Sequence, residues 1–175
     1  MTGLPDLWTA AWDRFGADGA DPIATFGTWG AEGPQMRSVV LRGADRAAGT
    51  LTVYADLFST KIAELRADPR AGLHLWDPQA RLHLRATGIA TVESGPALGA
   101  VWDSLSPFEQ SQYGMTPPPG RVIDGPTDYH RSSAFEAFAR ITLNVAVLDV
   151  VRLARPDIRA VFQRGDGWAG EWRAP

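Results

Sequence analysis

Five residues between positions 37 and 61 have the types and spacing of an anion-binding site. Arg37 and Arg42 flank a short apolar run, and Ser59, Thr60 and Lys61 open a segment with helical periodicity. A helix start offers free backbone N–H groups and the positive end of the helix dipole, and here hydroxyls and an ammonium group add further donors. This chemistry suits a phosphate dianion. The alternative is structural, with Ser59 capping the helix and Lys61 exposed to water.

The separation of Arg37 and Arg42 decides whether both can serve one ligand. On a regular strand, residues five positions apart lie on opposite faces. Either a β-bulge brings the two guanidinium groups together, or one of them faces something else, such as a partner subunit.

The signatures of several enzyme classes are absent from the sequence. There is no H-E-x-x-H, G-x-S-x-G or P-loop, and no G-x-G-x-x-G follows a predicted strand. The absence of cysteine excludes disulfides, thiol nucleophiles and thiolate metal sites. The three histidines, His74, His83 and His130, stand at no metal-ligand spacing. We therefore expect neither a metal centre nor a Rossmann dinucleotide site.

Composition and charge limit the kinds of partner that we expect for this protein. The 175 residues correspond to about one domain, which we take to span residues 1–175. A net charge of −3 provides no basic field for nucleic acid. No apolar window is long enough for a membrane span, and the first residues lack the pattern of a signal peptide. We expect a cytoplasmic protein without nucleic-acid or membrane partners.

Short apolar runs separated by glycine and proline predict a mainly β fold. No alternation of strands and helices is long enough for a parallel sheet, so we expect an antiparallel barrel with peripheral helices, α+β by content. Residues 106–127, rich in proline, are predicted to form a long ordered loop or lid. Strands are predicted over 23–29, 36–41, 51–56, 72–76, 81–92, 135–151, 159–163 and 167–172, and helices over 5–15, 59–67 and 96–105.

Three stretches of the sequence resemble motifs of one known family. They are RSVVLR at 37–42, VYADLFSTKIAELRADPR at 53–70 and WRAP at 172–175. They resemble the pyridoxamine 5′-phosphate oxidase family, whose pattern runs R-x-V-L-L-K, F-Y-T-N, S-R-K, N-P-R and R-L-A-P in the same order. The segment SQYGMTPPPG looks more like a cyanobacterial-type branch than like the vitamin-B6 oxidase itself. The resemblance implies a single-domain antiparallel split β-barrel that binds FMN.

The resemblance also implies which residues bind the cofactor. It places residues 37–42 in a strand beside the flavin, Tyr54 and Ala55 against it, and Thr60 and Lys61 at its phosphate. His83 takes the place of a glutamine near the polar edge of the flavin, and Arg159 matches an arginine whose charge would stabilise the reduced flavin. The cofactor-binding set is Arg37, Ser38, Val39, Val40, Arg42, Tyr54, Ala55, Ser59, Thr60, Lys61, His83 and Arg159.

A homodimer with FMN between the subunits also follows from the resemblance, and the partner would cover the open edges of the barrel. The resemblance does not imply that the protein acts on the substrate of the vitamin-B6 oxidase. Arg155 and Asp157 stand where that oxidase has an R-x-H pair over the flavin, and a carboxylate there repels a phosphorylated substrate. Ser111, which matches the serine of the family's S-Q-I-G, completes the set of substrate candidates.

Two functional classes remain open, and no residue is assigned a catalytic role. The first is an FMN-dependent oxidoreductase acting on a small organic substrate. The second is a non-catalytic barrel that stores, senses or carries a flavin or another phosphorylated ligand.

Overall fold

The computed structural model describes residues 3–16 and 21–175. The predicted strands and helices are present with shifted bounds, except that the strand predicted over 167–172 begins only at Glu171 and the helix predicted over 96–105 is divided into a 3₁₀ turn and a short α-helix. None of the helices in these ranges is both long and apolar enough to cross a membrane. Short 3₁₀ turns lie at Pro96–Leu98, Phe135–Ala137 and Arg164–Asp166. The elements are α1 (Leu4–Phe15), β1 (Ile23–Gly30), β2 (Gly33–Asp45), β3 (Thr50–Asp56), α2 (Thr60–Ala67), β4 (Arg70–Asp77), β5 (Leu82–Ser94), α3 (Gly99–Ser104), α4 (Pro107–Gln110), β6 (Met115–Thr116), β7 (His130–Arg131), β8 (Phe138–Arg152), β9 (Ile158–Gln163) and β10 (Glu171–Arg173).

Six antiparallel strands close into a barrel in the order β8, β3, β2, β1, β4, β5 and back to β8. The 15-residue strand β8 pairs with β5 along most of its length, while its first half also pairs with β3 and its second half with β9. Strands β9 and β10 therefore extend the sheet away from the closed barrel. The predicted antiparallel barrel with peripheral helices is confirmed.

A β-bulge at Ala146 of β8 depends on a glycine in the facing strand β5. The register between β5 and β8 shifts between Thr87 and Gly88. A Cβ atom on Gly88 would lie 1.9 Å from the Asn144 carbonyl oxygen, so no larger residue allows the two backbones this approach.

Apolar and polar residues alternate along the strands, so apolar side chains point into the core and polar side chains point to the outer surface of the barrel. In β5, Leu82, Leu84 and Ala86 are buried, whereas His83 and Arg85 face outwards, as their alternation predicts. Helix α1 packs against the barrel and against β9, where Trp8 contacts Phe162 with ring centroids 5.2 Å apart. The polar candidates therefore stand on the outside of the barrel wall.

The predicted lid contains more regular structure than expected. Helix α4 and strand β6 interrupt the loop, and β6 pairs with β7 just beyond the predicted end of the segment. Ser106 and Glu109 cap the start of α4 reciprocally, as in a capping box. The S-x-x-E spacing at these residues carries this signal in the sequence itself. We call residues 106–131 the lid.

Candidate functional site

A cavity of about 470 Å³ lies on the outer surface of the barrel, between two strands, the start of α2 and the lid. We call it the lysine cleft. It brings together seven of the twelve predicted cofactor-binding residues. The lining residues are Ser38, Val39, Val40 and Arg42 from β2, Tyr54, Ala55 and Asp56 from β3, Lys61 from α2, and Gln112, Tyr113, Pro119 and Arg131 from the lid.

Lys61 is the second residue of α2 and is half-buried. Its Nζ donates to Ser59 Oγ at 3.2 Å, and that hydroxyl donates to the Asp56 carbonyl oxygen at 2.7 Å. Partial burial, and then the charge of Arg37, lower the pKa of the Lys61 ammonium, while Asp56 and Glu64 act in the opposite direction. Its hydrogen bond within the described residues goes to a hydroxyl, so its charge is available to an anion.

Ser59 precedes α2 as the N-cap residue, but its hydroxyl does not cap the helix. It lies with Thr60 in a neighbouring cavity of about 190 Å³, beside Gly120 and Arg121 of the lid. A Cβ atom on Gly120 would come within 2.6 Å of Thr60 Oγ1, and the φ of Gly120 is +89°. Glycine thus allows the lid to lie directly over the helix start.

Arg37 and Arg42 do not meet in one cavity. The register of β2 against β3 shifts between Leu41 and Gly43, which makes Arg42 the bulged residue, but only Arg42 lines the lysine cleft. The Arg42 guanidinium forms ion pairs with Asp21 at 2.6 Å and Glu109 at 2.8 Å.

Arg37 contacts a different set of residues. Its guanidinium pairs with Glu64 of α2 at 2.7 Å and donates to the Thr28 hydroxyl. A β-bulge is present in β2, but it does not bring the two guanidinium groups together. Each arginine contacts different residues, which is the second of the two predicted alternatives.

Asp56 fastens the lid to the barrel. Its carboxylate, on a residue only 6% exposed, accepts hydrogen bonds from the backbone N–H groups of Phe58 at 2.9 Å, Gly114 at 2.9 Å and Met115 at 3.4 Å. Gly114 and Met115 follow the cleft-lining Tyr113, so this carboxylate holds one wall of the lysine cleft against the other.

Aromatic rings form the remaining wall of the lysine cleft. Tyr54 and Tyr113 both pack edge-on against the buried Phe138, with ring centroids 5.1 and 4.9 Å apart. Burial raises the pKa of the Tyr113 phenol to about 12, so its hydroxyl stays protonated and can donate a hydrogen bond.

A second cavity, of about 280 Å³, lies on the outer face of β4, β5, β8 and β9. We call it the histidine cleft, and it contains two more of the predicted cofactor-binding residues, His83 and Arg159. The strand registers place two rows of side chains side by side. One row runs Trp76, His83, Val151 and Arg159, and the other runs His74, Arg85 and Asp149.

Asp149 is the electrostatic centre of the histidine cleft. This 6% exposed carboxylate receives two hydrogen bonds from Arg159, at 3.1 and 2.8 Å, and another from Arg85. Two guanidinium groups share one carboxylate, so the cluster keeps one unit of positive charge. The charge that the resemblance assigns to Arg159 is therefore partly neutralised by Asp149.

A comparison with models of known protein families gives a match to part of the chain. The model described as pyridoxamine 5′-phosphate oxidase, FMN-binding domain, matches residues 16–94, which supply the barrel part of the lysine cleft and also His74 and His83. Residues 16–94 are therefore similar to the FMN-binding domain of the pyridoxamine 5′-phosphate oxidase family. No curated protein sequence matches the chain.

Solved structures share the split-barrel fold of this family at low sequence identity. An FMN-binding, pyridoxamine 5′-phosphate oxidase-related protein from Nostoc punctiforme is 22% identical, with a TM-score of 0.78 over 100% of this chain and 99% of that one. PhzG from Burkholderia lata, in complex with tetrahydrophenazine-1-carboxylic acid, is 16% identical, with a TM-score of 0.71 over 98% and 91%. A heme binding protein from Mycobacterium smegmatis is 19% identical, with a TM-score of 0.56 over 91% of this chain and 60% of that one.

The three substrate candidates drawn from the family comparison line neither cleft. The Ser111 hydroxyl donates to the Phe108 carbonyl oxygen at 2.7 Å within the lid. Asp157 accepts a 2.8 Å hydrogen bond from the backbone N–H of Ala154 in the turn before β9, and Arg155 is exposed in the same turn.

Sequence reasoning did not assign roles to five residues of the lysine cleft, which are Asp56, Gln112, Tyr113, Pro119 and Arg131. Asp56 stands at the last position of the family's F-Y-T-N motif, which could have drawn attention to it. Tyr113 and Arg131 belong to the lid and carry no local signal. Arg131, whose guanidinium donates to Gln112, reaches the cleft only because β7 pairs with β6.

Proposed function

We propose that this protein is a cytoplasmic, homodimeric flavoprotein that binds FMN and passes electrons between the flavin and a small organic substrate. The position of Lys61 supports this most strongly. It is the only lysine among seventeen basic residues, and it lines a cleft at a helix start where the family motif has its phosphate-binding pair.

The residues of the lysine cleft fit FMN. The cleft volume of about 470 Å³ falls within the range of about 300–1,000 Å³ that is usual for ligand sites. One end supplies the Lys61 ammonium and the start of α2, which suit a phosphate, while Val39, Val40 and Tyr54 supply apolar and aromatic surface. The cleft therefore offers polar groups for the phosphate of FMN and apolar surface for its ring system.

The arrangement of the two clefts supports a homodimer. The lysine cleft and the histidine cleft share no lining residue and lie on different strands of the barrel. The family resemblance assigns residues of both clefts to one flavin. We therefore infer that each flavin contacts the lysine cleft of one subunit and the histidine cleft of its partner.

Bound FMN supplies the electron and hydride transfer itself. The chain holds the phosphate at Lys61 and supports the cofactor with Tyr54 and Ala55. His83 and the remaining positive charge around Asp149 would face the flavin from the partner subunit, where positive charge favours the reduced form.

The non-catalytic flavin or phospho-ligand carrier is the second candidate. It is favoured by the positions of Arg155 and Asp157, which leave both clefts without the substrate-handling pair of the vitamin-B6 oxidase. In this case the lysine cleft binds the ligand phosphate in the same way, but no substrate reacts.

Spectra of the purified full-length protein test both candidates. We expect the yellow absorption of a flavin, release of FMN on denaturation, and anaerobic bleaching by NAD(P)H or by a substrate. Bound FMN that none of these reductants bleaches favours the carrier. A heme absorption band in place of the flavin spectrum, or failure to take up added FMN, contradicts the flavin assignment.

A further inference from the structure

His74 and His83 form a hydrogen-bonded pair on the outer face of the barrel. His74 Nε2 lies 3.3 Å from His83 Nδ1, and the two rings are inclined by only 24° with centroids 5.5 Å apart. The pairing of β4 with β5 sets Trp76 opposite His83 and Arg85 opposite His74, so the histidines are diagonal neighbours. Only one of the two facing nitrogens can carry the proton of this hydrogen bond.

The ring of His83 is held on two sides. Trp76 stacks on it at a centroid distance of 4.3 Å and an angle of 25°, and His74 occupies its Nδ1 atom. Its orientation is therefore fixed without any ligand. The other ring nitrogen, Nε2, has no hydrogen-bond partner among residues 3–16 and 21–175, so it can bind a ligand that enters the histidine cleft.

The charged groups around the pair oppose a second proton. Arg85 of β5 and Arg159 of β9 face the cleft and share the single carboxylate of Asp149 on β8, so one positive charge remains beside the two histidines. Burial, followed by the effects of His83 and Arg85, lowers the pKa of His74, which keeps this ring neutral at neutral pH. A neutral His74 ring carries one N–H group, on one of its two nitrogens.

We propose that His74 is a positioning residue that donates its Nε2–H to Nδ1 of His83 and thereby fixes His83 as a donor, through Nε2–H, to the occupant of the histidine cleft. This last step rests on the proposed function. If the histidine cleft holds a flavin, a carbonyl oxygen or ring nitrogen at the flavin edge accepts the hydrogen bond from His83 Nε2–H. Removing His74 frees His83 to exchange tautomers, so that the donor is replaced by an acceptor for part of the time.

Long-range ¹H–¹⁵N correlation spectra of the ¹⁵N-labelled full-length chain, recorded without added flavin, test the assignment directly, since only three histidines contribute. We expect an unprotonated Nδ1 and a protonated Nε2 on His83 in the wild-type protein. His74→Phe should convert His83 to a mixture of tautomers. His74→Gln should shift the equilibrium back towards the wild-type tautomer, because the glutamine Nε2 stands the same number of bonds from Cα and can donate to Nδ1 of His83. His130→Phe is the matched control and should leave His83 unchanged.

A proton on Nδ1 of His83 in the wild type, or an unchanged tautomer in His74→Phe, overturns the proposal, and the wild-type spectrum decides even where a variant fails to fold. Adding FMN to the same samples separates this result from the proposed function. Absence of binding refutes the flavin site alone and leaves the tautomer assignment standing. Binding without any shift of the His83 Nε2 resonance overturns the donor role. In the FMN-bound proteins, we expect the visible flavin band to shift in His74→Phe and to return in His74→Gln.

Discussion

At the scale of single residues, Lys61 decides whether the lysine cleft is a phosphate site. Charge-assisted hydrogen bonds contribute about 1.5–3 kcal/mol each, so Lys61→Ala should weaken FMN binding about ten- to hundredfold. Riboflavin lacks the phosphate and should bind both proteins equally. Titration of flavin-free protein, followed by quenching of flavin fluorescence, measures both affinities.

Arg66→Ala provides the matched control for this substitution, because Arg66 is an exposed cation on the same helix outside the cleft lining. It should leave both affinities unchanged. Equal FMN affinity in the wild type and in Lys61→Ala would show that Lys61 is not a phosphate ligand.

The lowered pKa of Lys61 makes a second prediction at the same scale. A lower pKa means a larger neutral, nucleophilic fraction at a given pH, so Lys61 should react with an amine-acylating reagent at lower pH than a free lysine side chain does. A bound phosphate raises the pKa and covers the amine. FMN and inorganic phosphate should therefore protect Lys61, and riboflavin should protect it less. Mass spectrometry of the peptide containing Lys61 follows the reaction, and a rate that FMN leaves unchanged would contradict the assignment.

At the scale of elements, the Asp56 carboxylate is expected to control the lid. Asp56→Ala removes the acceptor of three backbone N–H groups, and an unsatisfied buried donor costs about 1–3 kcal/mol. We expect a loss of stability of this order, corresponding to a fall in Tm of about 2–4 °C for each kcal/mol, together with faster amide exchange at Gly114 and Met115. FMN affinity should fall as well, because Tyr113 and Gln112 line the cleft.

Asp103→Ala is the control for this experiment, since Asp103 is an exposed aspartate of α3. It should change neither Tm nor exchange at Gly114. Unchanged exchange at Gly114 in Asp56→Ala would mean that the lid is held by other contacts, such as the Ser132 hydroxyl bond to the Gly114 carbonyl oxygen.

The elements were predictable from local patterns, and their long-range contacts were not. The alternation of apolar and polar residues in β5 correctly predicted that Leu82 and Leu84 face inwards and His83 faces outwards, because successive residues of a strand point to opposite faces. The contact of Asp56 with Gly114 joins residues 58 positions apart, and the His74–His83 pair depends on a strand register that no single strand encodes. The family motifs supplied seven residues of the lysine cleft, whereas the lid residues needed the fold.

At the scale of the whole molecule, an apolar groove of about 520 Å³ lies on the outer face of β1, β2, β4 and β5. Met36 and Ile89 line it and are 75% and 48% exposed. In strand order, the groove lies between the strands of the lysine cleft and those of the histidine cleft. A second copy seated on it is therefore in a position to bring its histidine cleft towards the lysine cleft of the first.

Ile89→Arg should accordingly disrupt the proposed dimer and its cofactor site together. A guanidinium group placed in an apolar interface loses hydration without gaining a partner, so the dimer should dissociate. FMN and riboflavin should both bind more weakly, unlike in Lys61→Ala, because the histidine cleft of the partner is lost rather than the phosphate contact. Light scattering after size-exclusion chromatography gives the mass, and fluorescence titration gives the affinities. Val122→Arg, at a 96% exposed apolar residue of the lid, is the control and should preserve the dimer. A wild-type monomer that binds FMN as tightly as the dimer would refute the shared site, because one chain would then supply every flavin contact.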